Sequence, residues 1–331
     1  MKKVLVTGGA GYIGSHTVVK LFEAGYTPII IDNLCNSSKK NLDGIKKITG
    51  KEMKWYNVNC TDLQAMQDVF QKEGEILGII HFAAYKCIEE SIKNPDKYYK
   101  NNVGSLEVVL ECMKENKLKN IIFSSSCTVY GNPDFLPISE DAPFKKAESI
   151  YGDTKQVCEK IIMNNICNSV SLRYFNPIGS HKSALIGDCS SDKASNLVPI
   201  ITETAIGKRK QFTVFGNDYN THDGTCIRDY IHVVDLAKCH VKAIDFILSN
   251  SGKHAFNVGT GIGISVLDII KVFEKANNLK VNYIIGNRRN GDIEKIYANV
   301  DLVRSKLGWK AQVSIEEAIK SAWNWEKNKE N

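Results

Sequence analysis

Thr7-Gly8-Gly9-Ala10-Gly11-Tyr12-Ile13-Gly14 is the stretch whose reading decides the fold. The residues leading into it, Lys2 to Thr7, form a short apolar run rich in β-branched side chains, which reads as a buried strand. A helix is expected to follow, to about Ala24. Gly8, Gly11 and Gly14 stand where a side chain would obstruct a tight turn, an approaching pyrophosphate or the packing of helix on strand. The free N–H groups at the helix start suit an anion. The next strand, Thr27 to Ile31, ends at Asp32, eighteen residues beyond Gly14. A carboxylate there accepts hydrogen bonds from both hydroxyls of an adenosine ribose and repels a 2′-phosphate. Asn33 follows with no arginine adjacent, so NAD is expected rather than NADP. Glycine triplets alone are weak signals; strand, triplet, helix, strand and acid in this order are specific.

The alternation continues outward. Lys54 to Val58 reads as a strand, Asp62 to Lys72 as a helix, Gly78 to His81 as a strand, and Asp96 to Asn116 as one long helix with Pro95 at its start. Asn120 to Ser124 and Val170 to Tyr174 read as further strands around a helix over Tyr151 to Asn164. This pattern predicts an α/β protein: a Rossmann-type doubly wound parallel sheet, with its ligand at the carboxyl ends of the strands. After Asn176-Pro177 the composition shifts to polar turns (Gly187-Asp188, Ser190 to Lys193, Gly216 to Gly224) and short apolar runs. Residues 1–176 are therefore expected to bind the dinucleotide, with a returning strand and helix near 230–245. Residues 177–331 are expected to form a smaller α/β substrate-binding domain, with helices over Val266 to Asn277 and Ile315 to Lys327.

Composition narrows the function. The 331 residues carry a net charge of +6 that is spread along the chain, and short basic segments such as Lys208-Arg209-Lys210 read as solvated surface rather than a nucleic-acid patch. There is no run of about eighteen apolar residues, so no membrane span is expected. Met1-Lys2-Lys3 leads straight into a strand, so no signal peptide is expected either. The ten cysteines are scattered without a Cys-x-x-Cys pair or zinc-ligand spacing, which suits free thiols in a reducing cytoplasm and no metal.

Within Ser149-Ile150-Tyr151-Gly152-Asp153-Thr154-Lys155 a tyrosine and a lysine lie one helical turn apart on the same face. An ammonium near a phenol favours phenolate, so the Tyr151 pKa is expected to fall, making it a general base for a substrate hydroxyl. The spacing alone occurs by chance on many helices. Its weight comes from the glycine-rich loop and the serine run at 124–126.

These stretches, with Asp32-Asn33-Leu34, Arg173-Tyr174-Phe175-Asn176-Pro177 and Arg228-Asp229-Tyr230-Ile231-His232-Val233, fall in the order of a known family. Over essentially its whole length the chain resembles the extended short-chain dehydrogenase/reductases, specifically those that interconvert UDP-galactose and UDP-glucose at C4. The resemblance implies a bound NAD that is not consumed, a UDP-hexose substrate, galactose metabolism and a homodimer. Tyr151 would take the proton from the sugar 4-hydroxyl while hydride passes to the nicotinamide, and the 4-keto sugar would turn over and take it back on the other face. Lys155 would hold Tyr151 ready to ionise, and Ser126 would bridge the 4-oxygen and the phenol. The plain alternative for Ser126 is a strand-end serine capping a neighbouring turn.

By the same resemblance Tyr12, Ile13, Asp32, Asn33, Asn36 and Ser37 line the cofactor with the glycine loop. Phe82, Ala83, Ala84, Lys86, Asn101 and Phe175 continue the wall. Asn59 and Cys60 stand where the family usually has an aspartate and an aliphatic residue beside adenine. Asn176, Asn196, Leu197, Phe215, Arg228, Arg289 and Asp292 would meet the nucleotide end of the substrate, the arginines clamping the diphosphate. Ile296 would border the sugar's C2 side, where a bulky tyrosine restricts the family to plain hexoses and a small residue admits N-acetylated ones. Slow turnover of UDP-N-acetylhexosamines is the expectation for isoleucine. A one-residue slip would put Tyr297 there instead. His232 is expected to be structural, and His222 with Asp223 lacks a full metal ligand set. A nucleotide-sugar dehydratase or decarboxylase is the nearest rival, but Thr128 is followed by Val129-Tyr130 rather than an acid pair. A dinucleotide sensor without chemistry would have no need of Ser126, Tyr151 and Lys155 together.

Overall fold

The computed structural model describes residues 2–189, 194–289 and 291–329. The expected turn at Ser190 to Lys193 lies outside them. The first half is built of β1 (Lys3–Thr7), α1 (Tyr12–Glu23), β2 (Thr27–Ile31), α2 (Lys39–Thr49), β3 (Lys54–Tyr56), α3 (Leu63–Glu73) and β4 (Gly78–His81). It continues through α4 (Ile88–Lys93), α5 (Pro95–Tyr98), a π turn (Tyr99–Val103), α6 (Gly104–Glu115), β5 (Asn120–Ser126), α7 (Ile150–Asn164) and β6 (Asn168–Tyr174). The second half comprises β7 (Asn176–Ile178), α8 (Leu197–Ala205), β8 (Phe212–Phe215), β9 (Ile227–His232), α9 (Val233–Ser249) and β10 (Lys253–Val258). It closes with β11 (Gly263–Ser265), α10 (Val266–Asn277), β12 (Tyr283–Gly286), β13 (Lys295–Ile296), α11 (Asp301–Leu307) and α12 (Ile315–Asn328).

Seven strands pair in parallel in the order β10-β6-β5-β4-β1-β2-β3. Alternation of side chains along each strand divides the core in two. Val4, Val6, Ile30, Ile80 and Ile122 face Val18 and Val19 of α1 and Leu236 and Ile244 of α9. Leu5, Ile29, Ile31, Ile79 and Phe123 face α3, α6 and α7 through Phe70, Leu106, Val109 and Ile162. Strand order reverses at β1, between β2 and β4, and a sheet of this kind opens a crevice for ligand beyond the strand ends at that point.

A second sheet has β9 at its centre, paired with β7 and β13 in parallel and with β11 antiparallel, and β8 pairs with β12. Ile178, Ile201, Phe273 and Ile319 are buried beneath them in a separate core. Of the stretch near 230–245, the strand belongs to this second sheet. Helix α9 returns to pack on α1, and β10 then completes the first sheet.

The helix expected over Asp96 to Asn116 is interrupted. The π turn widens it at Tyr99–Val103, where the Asn102 side chain accepts from the Tyr85 N–H at 2.8 Å and donates to the Tyr85 carbonyl at 3.0 Å. Tethering to the loop after β4 takes the place of regular helical spacing here, and Asn101 is brought to the cleft.

Candidate active site

Gly8 follows β1 at φ +68°, where glycine carries no steric cost. A Cβ on it would lie 2.9 Å from the Ala83 nitrogen, and a Cβ on Gly14 only 2.2 Å from the Gly8 carbonyl oxygen. The loop, the chain after β4 and α1 are therefore in direct backbone contact. Gly11, the residue before α1, lines open cleft, and no side chain caps the helix. Its first N–H groups are thus available to an anion. The Asp32 carboxylate is fixed by three donors: Ala10 N–H at 3.0 Å, Leu34 N–H at 2.9 Å and the Ser37 hydroxyl at 2.7 Å. An uncapped helix start, a glycine approach and a fixed acid beyond it fit the pyrophosphate and ribose of a dinucleotide.

The residues expected around the cofactor all line this one cleft. Gly8, Gly11, Tyr12, Ile13 and Gly14 form its floor; Asp32, Asn33, Asn36 and Ser37 form one wall with Asn59 and Cys60 beyond β3. Phe82, Ala83, Ala84, Lys86, Asn101 and Phe175 form the other, and Ser126, Tyr151 and Lys155 close its end. Asn59 Oδ1 already accepts from the Thr61 N–H at 3.1 Å, so part of its acceptor capacity toward a base is taken up. Lys86 pairs with Asp188 at 3.2 Å across the cleft mouth. Cys35, Tyr85, Ser124, Tyr174 and Pro177 also line the cleft. Cys35, Tyr85, Tyr174 and Pro177 border expected residues in sequence, and Ser124 opens the serine run that ends at Ser126.

Ser149 caps α7 by accepting from the Gly152 N–H at 3.0 Å, which sets the helix register from which Tyr151 and Lys155 project. Lys155 is buried, and its ammonium donates to the Ser124 carbonyl at 2.6 Å and lies 5.7 Å from the centre of the Tyr151 ring. Burial lowers the Lys155 pKa to about 8. The expected fall in the Tyr151 pKa is corrected by the structure. Enclosure of the phenol raises it above the ordinary tyrosine value, the neighbouring Ser126 hydroxyl opposes that rise, and the lysine is directed at a carbonyl instead. The plain alternative for Ser126 holds, since its Oγ accepts from the Thr128 N–H at 3.3 Å as a turn cap, and the same hydroxyl sits beside Tyr151.

A second cleft meets the first at Asn176 and Asn196. Leu197, Phe215, Arg228, Arg289, Asp292 and Ile296 line it. Arg289 holds Asp292 at 2.7 and 3.3 Å and stacks 5.5 Å from the centre of the Phe215 ring, while Arg228 approaches the same carboxylate at 3.9 Å. Two guanidiniums are thus prearranged on one acid beside an exposed aromatic face. Ile296 is 3% exposed and pairs with Arg228 in the sheet. Tyr297 turns to the other side of the strand, where a Cβ on Gly263 would meet its ring at 3.0 Å. Strand alternation therefore gives the cleft position to Ile296.

His232 is a helix cap: Nδ1 accepts from the Val234 N–H at 3.0 Å, Nε2 meets the Ser321 hydroxyl at 3.1 Å, and burial lowers its pKa to about 4. His222, Asp223 and Asp268 lie together, but His222 bonds Asp268 at 2.8 Å, and Asp223 takes the Thr225 N–H at 2.9 Å and the Ser265 hydroxyl. They staple the loop before β9 to the start of α10. Among the described residues, no helix is long and apolar enough to cross a membrane.

Comparison with known proteins agrees with this geometry. A family model described as GDP-mannose 4,6 dehydratase matches residues 5–322. The UDP-glucose 4-epimerase of Haemophilus influenzae is 47% identical over 330 residues, covering 98% of this chain and 97% of that protein. The UDP-glucose 4-epimerase of Drosophila melanogaster is 46% identical over 342 residues, covering 99% and 97%. Among solved structures, the UDP-glucose 4-epimerase of Bifidobacterium longum in complex with NAD+ and UDP is 44% identical, with a TM-score of 0.95 and 99% of each chain covered. That of Stenotrophomonas maltophila, with bound NAD and formylated UDP-arabinopyranose, is 39% identical with a TM-score of 0.96, covering 100% of this chain and 99% of that one.

Proposed function

The chain belongs to the UDP-glucose 4-epimerase family, and we infer that it is an NAD-dependent isomerase interconverting UDP-galactose and UDP-glucose. One observation carries the reading: Ser126, Tyr151 and Lys155 lie together in the dinucleotide cleft, which joins the arginine-lined cleft at Asn176 and Asn196. NAD, when bound, supplies reversible hydride exchange with the sugar's C4. Tyr151 takes the proton of the 4-hydroxyl and later returns it, and Ser126 holds the 4-oxygen as charge develops on it. Lys155, the cation nearest the phenol, favours its ionised form. Arg228 and Arg289 hold the diphosphate while Asn176 and Asn196 take hydroxyls, so the nucleotide stays anchored as the hexose turns over.

Residues 1–176 together with α9 and β10 serve NAD, and the remainder covers the substrate. A homodimer follows from the resemblance, and a reducing cytoplasm suits the ten free cysteines. Ile296 crowds an acetamido group without filling its space, so UDP-N-acetylglucosamine is a slow substrate. Elimination is disfavoured because Val129 and Tyr130, which follow Thr128, are fully buried and bring no carboxylate to the cleft. Incubating the purified protein with UDP-galactose and no added cofactor should yield UDP-glucose. Release of water from the sugar with a 4-keto product, or no turnover at all, would overturn the reading.

A further inference from the structure

The stripe of α7 facing β5 carries Tyr151, Lys155 and Glu159, each one turn from the next. Each meets one of three consecutive serines. Tyr151 lies beside Ser126, Lys155 donates to the Ser124 carbonyl, and Glu159 accepts from the Ser125 hydroxyl. The reaction described above uses the first two side chains and leaves the carboxylate without a task. Glu159 is nevertheless the more elaborately held. Arg173 of β6 donates to it through Nη2 at 2.7 Å and Nε at 3.0 and 3.2 Å. The guanidinium's Nη1 bonds the Tyr130 hydroxyl and the Glu140 carbonyl, both at 3.0 Å, and Tyr130 donates to Asn257 of β10 at 2.7 Å. Buried ion pairs are weak sources of stability, because desolvation offsets their attraction. This one joins α7, β5, β6 and β10 directly beneath the reacting groups.

We propose that Glu159, clamped by Arg173 and Ser125, is a positioning residue that locks the Tyr151–Lys155 face of α7 against Ser126, a role that rests on the assignment of those three residues to the reaction. The same carboxylate lies one helical turn from Lys155, and its charge favours the ammonium form. The other groups around that ammonium are uncharged near neutral pH: Tyr151 and Cys158 on α7, His81 on β4, Phe123 and the Ser124 carbonyl on β5, and Tyr174 on β6. Burial lifts the Cys158 thiol to about 12 and presses His81 to about 3. Glu107 of α6 acts on Cys158, and Arg173 lies on the far side of Glu159. Removing the Glu159 charge therefore leaves the Lys155 ammonium less favoured.

The test is the pH profile of kcat for UDP-galactose in wild type, Glu159→Gln and Glu159→Asp. Glu159→Gln is expected to lower kcat about tenfold and move the alkaline limb acidward by at least half a pH unit, with KM changed less than threefold. Glu159→Asp keeps the charge and should keep the wild-type limb. Where Glu159→Gln does not fold, the charge-free pair Glu159→Gln/Arg173→Gln is read in its place, with the limb moving the same way. A limb that stays at its wild-type pH in the folded charge-free variant overturns the proposal, since a purely structural pair would lower the rate evenly at all pH values. A wild type inactive on UDP-galactose would instead sink the functional reading beneath it.

Discussion

Tyr151 and Lys155 are where the local electrostatics and the chemistry must be reconciled. Burial raises the Tyr151 pKa and lowers that of Lys155 to about 8, so both effects disfavour the charged forms that proton abstraction calls for. What remains to favour phenolate is the ammonium 5.7 Å from the ring centre and the Ser126 hydroxyl. Tyr151→Phe keeps the packing but removes the proton acceptor, and should lower the epimerisation rate by about 10² to 10⁴-fold while NAD stays bound. The checks are a coupled assay for UDP-glucose and the absorbance of released cofactor. Lys155→Met withdraws the cation, so the phenol pKa rises further and the ascending limb of the rate profile moves to higher pH. An unchanged ascending limb with a lower rate would mean that Lys155 only orients its neighbours. At the far end of the site, Ile296→Cys should raise activity on UDP-N-acetylglucosamine relative to UDP-galactose, and Ile296→Tyr should remove it. Crowding at such a site is worth roughly 1–3 kcal/mol, or one to two powers of ten in rate. Equal activity ratios in all three proteins would take Ile296 out of the gate.

At the scale of elements, β1, the glycine loop and α1 form one unit whose spacing tolerates no added atom. Gly14→Ala puts a methyl group 2.2 Å from the Gly8 oxygen, against backbone that cannot swing aside. The variant should lose about 1–3 kcal/mol of stability and purify with less NAD, read by denaturant unfolding and by cofactor content. This unit was legible in the sequence because strand period, glycine spacing and acid all point the same way. Other elements were silent for physical reasons. Helix α2 buries only Asn41, Gly44 and Ile45, too thin a stripe to read against its four lysines. Strand β10 opens with Lys253 and His254, and it is recruited by pairing with β6 rather than by its own pattern. The π turn depends on Asn102 reaching Tyr85, a contact that no helical period announces. The site divides in the same way. Tyr151 and Lys155 become legible when their spacing is read beside the glycine loop and the serine run, whereas Asn196, Phe215, Arg228 and Arg289 arrive from separate elements and were readable only through family resemblance.

Across the whole molecule, burial of neutral histidines ties stability to pH. His16 on α1 and His81 on β4 have pKa values pressed to about 3, and His232 and His240, at and within α9, to about 4, in each case chiefly by burial. An unfolded histidine titrates near 6.5, so between about pH 6.5 and pH 4 the unfolded chain binds protons that the folded chain refuses. Stability contributed by these four groups is complete above that range and is lost as pH falls through it, by up to about 1.4 kcal/mol per pH unit for each group. Glu140 and Asp229, whose burial raises their carboxyl pKa, act in the opposite sense at the acidic end, but they are outnumbered. Melting temperature should therefore fall steadily from pH 6.5 to pH 4. His240 allows the cause to be isolated. Its Nδ1 bonds the Leu236 carbonyl at 2.9 Å, its Nε2 has no hydrogen-bond partner among the described residues, and its ring packs 4.7 Å from Phe82. His240→Phe keeps a ring in that place and removes the titrating group, so its unfolding free energy should fall less with acid than that of wild type. Parallel pH dependences for the two proteins would show that His240 does not take up a proton on unfolding, and would leave the acid sensitivity to the other titrating groups.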